Sequence, residues 1–453
     1  MLKEQLDRIR QKLPQAAEAD PEYRVFGARK HRYKLNEPLS VDELRRFEQA
    51  HGITLPEPYA AFLTEFGNGG AGPYYGIHPL GKNQSIDLDL IREPSPLRPG
   101  AEQAPSEASD GGLDDDDEED EYPGLLNIGE QGCTYETMLM ITGEYRGKVI
   151  YIDLDSQRTF FTYEANFLDW YERWLDETIA GCDSGWFGMR RGGDDRELIA
   201  LYRSAAEENV KIEALDGMLK LPHIADETAA FLLRQNDESS GGVRRAALQV
   251  LAKLRFDQAE PLIRQLLHSG DAADRLLALK FAKWYMPEGD RRFMEELTAL
   301  LPQETDGEAF TFLTTMLNEA GADMLPLMLP YFAHPDRKIR TQAIYQAGKS
   351  PAAAKSACLP AFIAALEDPD PWVTVIALQA LRGVTDSRLL EVYERLLKQH
   401  RTDQDHIRSN VRGRLEEFSF QSLEQVEREV PSALRQVKGM LRKIVEPYLR
   451  PKK

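Results

Sequence analysis

Apolar positions follow two different periods in the first 180 residues. Val41, Leu44 and Phe47 recur at helical spacing behind Leu39-Ser40-Val41-Asp42-Glu43. In that run Ser40 and Glu43 can each accept from the other's backbone N–H, the reciprocal arrangement of a capping box. Gly52 supplies a residue able to stop the helix in the left-handed region. Leu55-Pro56-Glu57-Pro58 suits the entry to a second helix, whose stripe is Tyr59, Phe62, Leu63 and Phe66. Gly67, Gly69 and Gly70 read as the turn that ends it. Beyond residue 123 the pattern alternates, and Cys133 to Ile141 and Lys148 to Asp155 predict a hairpin around Gly143 and Gly147. Asn166 then caps a closing helix lined by Phe167, Trp170, Tyr171, Trp174 and Leu175. Two helices, a strand meander and a closing helix make an α+β domain.

The remainder is helical and self-similar. Lys211 to Leu215, Arg244 to Leu248, Arg275 to Leu279, Arg340 to Ile344, Thr374 to Leu378 and Arg408 to Val411 repeat one pattern, with a small residue at Ala214, Ala247, Ala278, Ala343 and Ala377. One interval is double the others, which predicts a degenerate unit near Phe310 to Leu317 and about seven units in all. Turn residues Ser269-Gly270-Asp271, His334-Pro335-Asp336 and Asp368-Pro369-Asp370-Pro371 fall ahead of the second helix of their units. The recurrent basic residue keeps a fixed register against the small one, so its expected role is to join repeats. The pattern resembles HEAT-like repeats, including the short type of phycobilisome-lyase-like proteins. The expected fold is thus an α+β N-terminal domain, helices plus antiparallel sheet, followed by an all-α HEAT-like solenoid.

Charge adds one feature to this picture. The chain carries a net −19, and residues 99–121 hold Glu102, Glu107, Asp110, Asp114, Asp115, Asp116, Asp117, Glu118, Glu119, Asp120 and Glu121 with no Lys or Arg. Such a block repels phosphates, which argues against nucleic acid as a direct ligand, and favours a basic protein surface. The run is read as a solvated, disordered insertion, with a nucleic-acid mimic or a contact with the basic tail near Lys438, Arg442 and Lys443 as the alternatives. No stretch has the length of apolar sequence that a membrane helix needs. The start, MLKEQLDRIRQKL, is amphipathic rather than a secretory signal, so a cytoplasmic location is expected. Cys133, Cys182 and Cys358 are too far apart for a ligand knuckle, and His400 and His406 lack zinc spacing. Nucleophile-elbow, phosphate-loop and zinc-peptidase motifs do not occur. The expectation is therefore no catalytic, cofactor-binding or metal site, and no membrane.

The run from Glu48 through Gly52-Ile53-Thr54-Leu55-Pro56, Tyr59 and Phe62-Leu63, then Asn68-Gly69-Gly70, the strands, and the aromatic helix ending in Trp174-Leu175 resembles the SUKH superfamily. That superfamily includes the yeast Smi/Knr cell-wall synthesis regulator and many bacterial toxin-immunity proteins. The resemblance implies a non-enzymatic protein that binds and neutralises a cognate toxin domain, a nuclease or deaminase, by stoichiometric association. An adaptor for endogenous proteins is the alternative, and a lyase-like enzyme a more distant one. The candidate contact residues are Tyr74, Tyr75 and Asp114 to Glu121, toward a toxin with a basic surface. The expected organisation is a helical extension at 1–34, the SUKH-like domain at 35–182 with its insertion at 99–122, a linker at 183–197, repeats at 198–418 and a basic capping helix and tail at 419–453.

Overall fold

The computed structural model describes residues 2–100, 122–238, 240–402 and 405–449. The chain divides into two compact units, Met1–Arg255 and Phe256–Lys453.

The first unit opens with helix α1 (Leu2–Ala19) and a single turn, α2 (Ala28–His31). Helices α3 (Val41–His51) and α4 (Glu57–Glu65) lie where the two apolar stripes place them. The Ser40/Glu43 capping box is formed, and Gly52 takes φ 65° to end α3. Strands β1 (Leu125–Gly132), β2 (Tyr135–Met140), β3 (Val149–Asp153) and β4 (Arg158–Phe161) form one antiparallel sheet in sequence order. The expected hairpin is β2 and β3, with Leu139 opposite Val149. Cys133, placed by the alternating pattern at the start of that hairpin's first strand, instead lies exposed at φ 52° in the β1–β2 turn. Helix α5 (Phe167–Ile179) follows, with Asn166 accepting from the amides of Leu168 and Asp169.

Alternation along the strands builds two cores. Leu139, Val149 and Tyr151 face the helices, while Met138, Met140, Ile150 and Ile152 face Leu97 and Tyr122 on the other side. On the helical side Phe62 lies 5.1 Å from Phe167 and 4.9 Å from Tyr171 between ring centroids. Helix α1 is part of this domain. Leu6 and Ile9 are buried against it, and Arg8 and Lys12 both bond Glu172 of α5. Burial would raise that carboxyl, but the bonds from Arg8 and Lys12 outweigh it and hold it at about 2.

Four helices complete the first unit, α6 (Asp195–Ser204), α7 (Glu208–Met218), α8 (Asp226–Glu238) and α9 (Gly241–Leu254). The segment between α5 and α6 is tied on both sides. Phe187 is buried in the sheet domain, while Arg190 and Arg191 pair with Asp216 and Glu213 of α7. Beside it Arg173 of α5 bonds Glu164 at 2.5 Å, Glu177 at 2.8 Å and the Arg190 carbonyl at 2.6 Å. Lys220 lies 3.6 Å from Glu177 and donates to the Gly193 carbonyl at 2.7 Å.

The second unit is helical throughout its described residues: α10 (Phe256–Leu267), α11 (Ala272–Tyr285), α12 (Met294–Leu300), α13 (Gly307–Glu319), α14 (Met324–Met328), α15 (Arg337–Gly348), α16 (Ala352–Ala357), α17 (Leu359–Leu366), α18 (Pro371–Ala380), α19 (Arg388–Gln399), α20 (His406–Glu416), α21 (Leu423–Glu429) and α22 (Arg435–Leu449). Helices α11, α13, α15, α18 and α20 pack in that order. Asp271, Asp306, Asp336, Asp370 and Asp405 cap them, and Ala278, Leu313, Ala343 and Ala377, each seven residues past its cap, are fully buried. The degenerate unit is therefore α13, which places Leu313 where its neighbours place alanine.

At two of its positions the recurrent basic residue joins one turn to the next. Arg275 bonds the Ser269 and Gly270 carbonyls of its own turn and grips both oxygens of Glu304, at 3.0 and 3.2 Å. Arg340 repeats the device on the His334 and Pro335 carbonyls and on Asp368, at 2.8 and 3.0 Å. This bidentate geometry fixes position as well as adding energy. Lys438 and Arg442 of the basic tail both pair with Glu427. Among the described residues no helix is long and apolar enough to cross a membrane, and no cluster of His, Cys, Asp or Glu has metal-binding geometry.

Candidate functional site

Asp20, just past the end of α1, organises the loop that builds the site. Its carboxylate accepts from the amides of Arg24 and Val25, at 2.6 and 3.1 Å, and from the Tyr33 hydroxyl at 2.8 Å. Those bonds turn the chain so that Phe26 projects outward, with its own amide on the Ser184 hydroxyl. Gly27 follows at φ 81°, and a Cβ there would stand 1.8 Å from the Tyr74 carbonyl oxygen, so only glycine allows the two loops to meet.

Tyr74 and Tyr75 have different fates. Tyr74 is a core residue, 6% exposed, with its hydroxyl donating to the Phe187 carbonyl at 2.8 Å, and it offers a partner almost no surface. Burial pushes its hydroxyl well above the usual tyrosine range. Tyr75 reaches solvent, its ring centroid 5.4 Å from that of Phe26. The Lys30 ammonium sits 5.1 Å above the Tyr75 ring and pairs with Glu130 on the edge strand β1. Tyr23, Arg24, Phe26, Arg29, Lys30 and Tyr75 line a cleft of about 650 Å³.

Two properties mark this cleft. Its walls combine half-exposed aromatic rings with three cations, of which Arg24 pairs with Glu22 and Lys30 with Glu130. The backbone in and next to it is also strained, since Tyr23 in its wall and Arg32, Tyr33 and Tyr74, within three residues of the lining, take φ between 50° and 56°. Residues held there at a cost of order 1–3 kcal/mol each persist only where packing over-determines them, and they concentrate at binding and switch sites. His31, next to Lys30 in the chain, points into the core, 5.8 Å from Trp174 between centroids, its Nδ1 accepting from the Tyr33 amide at 3.0 Å. Burial lowers its pKa to about 4.

Asp114, Asp115, Asp116, Asp117, Glu118, Glu119, Asp120 and Glu121 lie outside the described residues. Sequence reasoning missed Asp20, Arg24, Phe26, Arg29 and Lys30, because periodicity treats the loop after α1 as an extension. A usable signal is present, however: Arg24, Arg29, Lys30, Arg32 and Lys34 occur with Phe26 and Tyr33 and without an acid between them. A second cleft, of about 400 Å³ in the second unit, has Asp368 and His400 in its walls. Those groups are already engaged, by Arg340 and by Asp405 at 2.7 Å, so the cleft is part of the repeat scaffold.

No curated protein matches the chain. Among solved structures, the crystal structure of an engineered protein aligns over 56% of this chain and 97% of its own, at 12% identity and a TM-score of 0.21, too distant to carry an argument. The cleft's Tyr75 and Glu130 fall inside the one stretch with a family match, and Arg24, Phe26 and Lys30 outside it: residues 38–173 match the SMI1 / KNR4 family (SUKH-1).

Proposed function

We propose that the chain is an immunity protein, which binds a cognate bacterial toxin domain in the cytoplasm and blocks it stoichiometrically, without turnover. The observation that carries this reading is the SUKH-1 match of residues 38–173, a family whose resemblance implies protein binding. The Phe26/Tyr75 cleft supplies the contact surface, because rigid aromatic rings beside cations are the kind of anchor in which interface energy concentrates. The acidic run Asp114–Glu121 supplies the complementary sign and steers the chain toward a basic toxin surface. HEAT-like repeats extend the binding surface of the SUKH-like domain.

Affinity capture from lysate of the native cells tests the reading, with parallel baits lacking residues 99–121 or carrying Phe26→Ala and Tyr75→Ala. The expected capture is a single protein with a toxic activity. Truncating the two rings should weaken its retention by roughly thirtyfold, the loss of an interface anchor worth about 2 kcal/mol. Capture of several endogenous proteins without toxic activity contradicts immunity and favours an adaptor.

A further inference from the structure

We propose that the row of α11, α13, α15 and α18 carries a docking face for an acidic polypeptide segment, independent of the cleft and of the immunity reading. Trp284, Tyr345 and Trp372 are 54%, 50% and 53% exposed, on helices whose other large apolar side chains are mostly buried. Phe312 joins them, edge-on to Trp284 at 6.4 Å.

Their positions share one register. Counted from the capping aspartate of its own helix, Trp372 stands at 2, Phe312 at 6, Tyr345 at 9 and Trp284 at 13. At about 100° per residue these positions fall within about 60° of one another. The Arg275–Glu304 and Arg340–Asp368 bridges tie turn to turn, and Gly307 at the start of α13 abuts Lys338 at the start of α15. The helices therefore run side by side in the same direction, and the shared positions lie on one face of the row, with Trp284 and Phe312 in ring contact. Its floor is fixed by Gln342 and Gln346 of α15, which donate to Thr314 and Thr315 of α13 at 3.0 and 3.2 Å.

Charge along the stripe selects the occupant. Lys338, Lys280 and Lys349 occupy positions 2, 9 and 13 of their helices. The acids Glu308 and Glu319 are neutralised by Lys280 and Lys283. Lys338 and Lys349 have no ion-pair partner among the described residues, and the Lys349 ammonium lies 4.7 Å over the Tyr345 ring. The stripe is thus aromatic with two unpaired cations, inside a chain of net −19. An acidic segment with apolar side chains satisfies both features. A nucleic acid fits less well, since its affinity grows with the number of phosphates neutralised and the stripe keeps few unpaired cations.

Fluorescence titration of the full chain tests the proposal. The probes are a labelled peptide of about twenty residues alternating Glu with Leu or Phe, its Gln-for-Glu counterpart, and a thymidine oligonucleotide of similar length. Variants Lys338→Glu/Lys349→Glu and Trp284→Ala/Trp372→Ala alter only exposed side chains, and unchanged thermal unfolding separates lost binding from lost folding. The acidic peptide should bind the full chain, roughly tenfold or more weaker in either variant and weaker as salt rises, while the amide peptide does not bind. Equal binding by the variants overturns the proposal, as does absence of acidic-peptide binding or tighter binding of the oligonucleotide. Binding that emerges only on deleting residues 99–121 also overturns it, and assigns the face to the chain's own acidic run.

Discussion

Arg173→Met is expected to destabilise the first unit by about 3–5 kcal/mol, the cost of breaking a buried ion network from one side. Arg173, Glu164 and Glu177 have side chains only 9–10% exposed, and Lys220 only 2%. Methionine keeps most of the volume against Phe187, whose ring the guanidinium now covers at 5.1 Å. What it removes is the charge facing two carboxylates and the donor to the Arg190 carbonyl. Burial already pushes the Glu177 carboxyl up and the Lys220 ammonium down, so the network operates close to the limit of what its pairing compensates. Urea unfolding gives the magnitude. Adding Glu164→Gln should recover a large part of the loss, because one uncompensated carboxylate then disappears while Glu177 keeps Lys220 as its counter-charge. A loss below about 1 kcal/mol would mean that water reaches these carboxylates.

The second large effect is a pH dependence centred on His31. Its pKa is lowered to about 4 from an ordinary 6.5, chiefly by burial, so the folded chain holds it neutral. The unfolded chain takes up a proton below about 6.5 while the folded chain does not. Stability is therefore complete above that pH and falls as pH drops toward 4. At about 1.4 kcal/mol per unit the fall amounts to about 3 kcal/mol. His31→Gln keeps an acceptor for the Tyr33 amide and cannot titrate, so urea midpoints for this variant should fall less steeply between pH 7.5 and 5 than those of the parent chain, the remaining slope coming from His78, whose pKa burial also lowers. Glu172 titrates in a lower window, where its stabilising contribution is lost as pH falls below 4.5 toward 2, so the two effects separate.

Elements with a strong period or a cap were legible from residue order. Ser40 and Glu43 fix the start of α3, Asn166 fixes α5, and the alternating runs fix β2 and β3. Strands β1 and β4 were not individually legible. Irregular register between Asn127 and Gly129 and again between Glu130 and Gly132 breaks the alternation of β1, and β4 has only four residues. In the repeats the small residue was visible, but it fails at α13, where Leu313 replaces it. A capping residue seven positions earlier, Ser240, Asp271, Asp306, Asp336 or Asp370, marks α9, α11, α13, α15 and α18 alike and is the better register across those five helices.

The cleft was legible only by half. Tyr75 was singled out by its place beside Tyr74 in a glycine-rich loop, yet adjacency in sequence says nothing about which of the two rings faces inward. That is decided by Gly27, whose missing Cβ lets the first loop close over Tyr74 and brings Phe26 beside Tyr75. Charge was read from the acidic run, while the described surface of the sheet domain presents a cleft of aromatic rings with Arg29 beside the ion-paired Arg24 and Lys30. Both signs enter the proposed interface, so the partner's matching surface should carry an acidic patch beside its basic one.

The central claim is stoichiometric neutralisation of a toxin, and one measurement addresses it directly. The captured partner is purified, its toxic activity is assayed in vitro, and the full chain is titrated in. Linear loss of activity reaching zero near one equivalent, with no chemical change in the partner, is the predicted result. Full activity at saturating chain, or loss at a small fraction of an equivalent as a turning-over enzyme would give, contradicts the account.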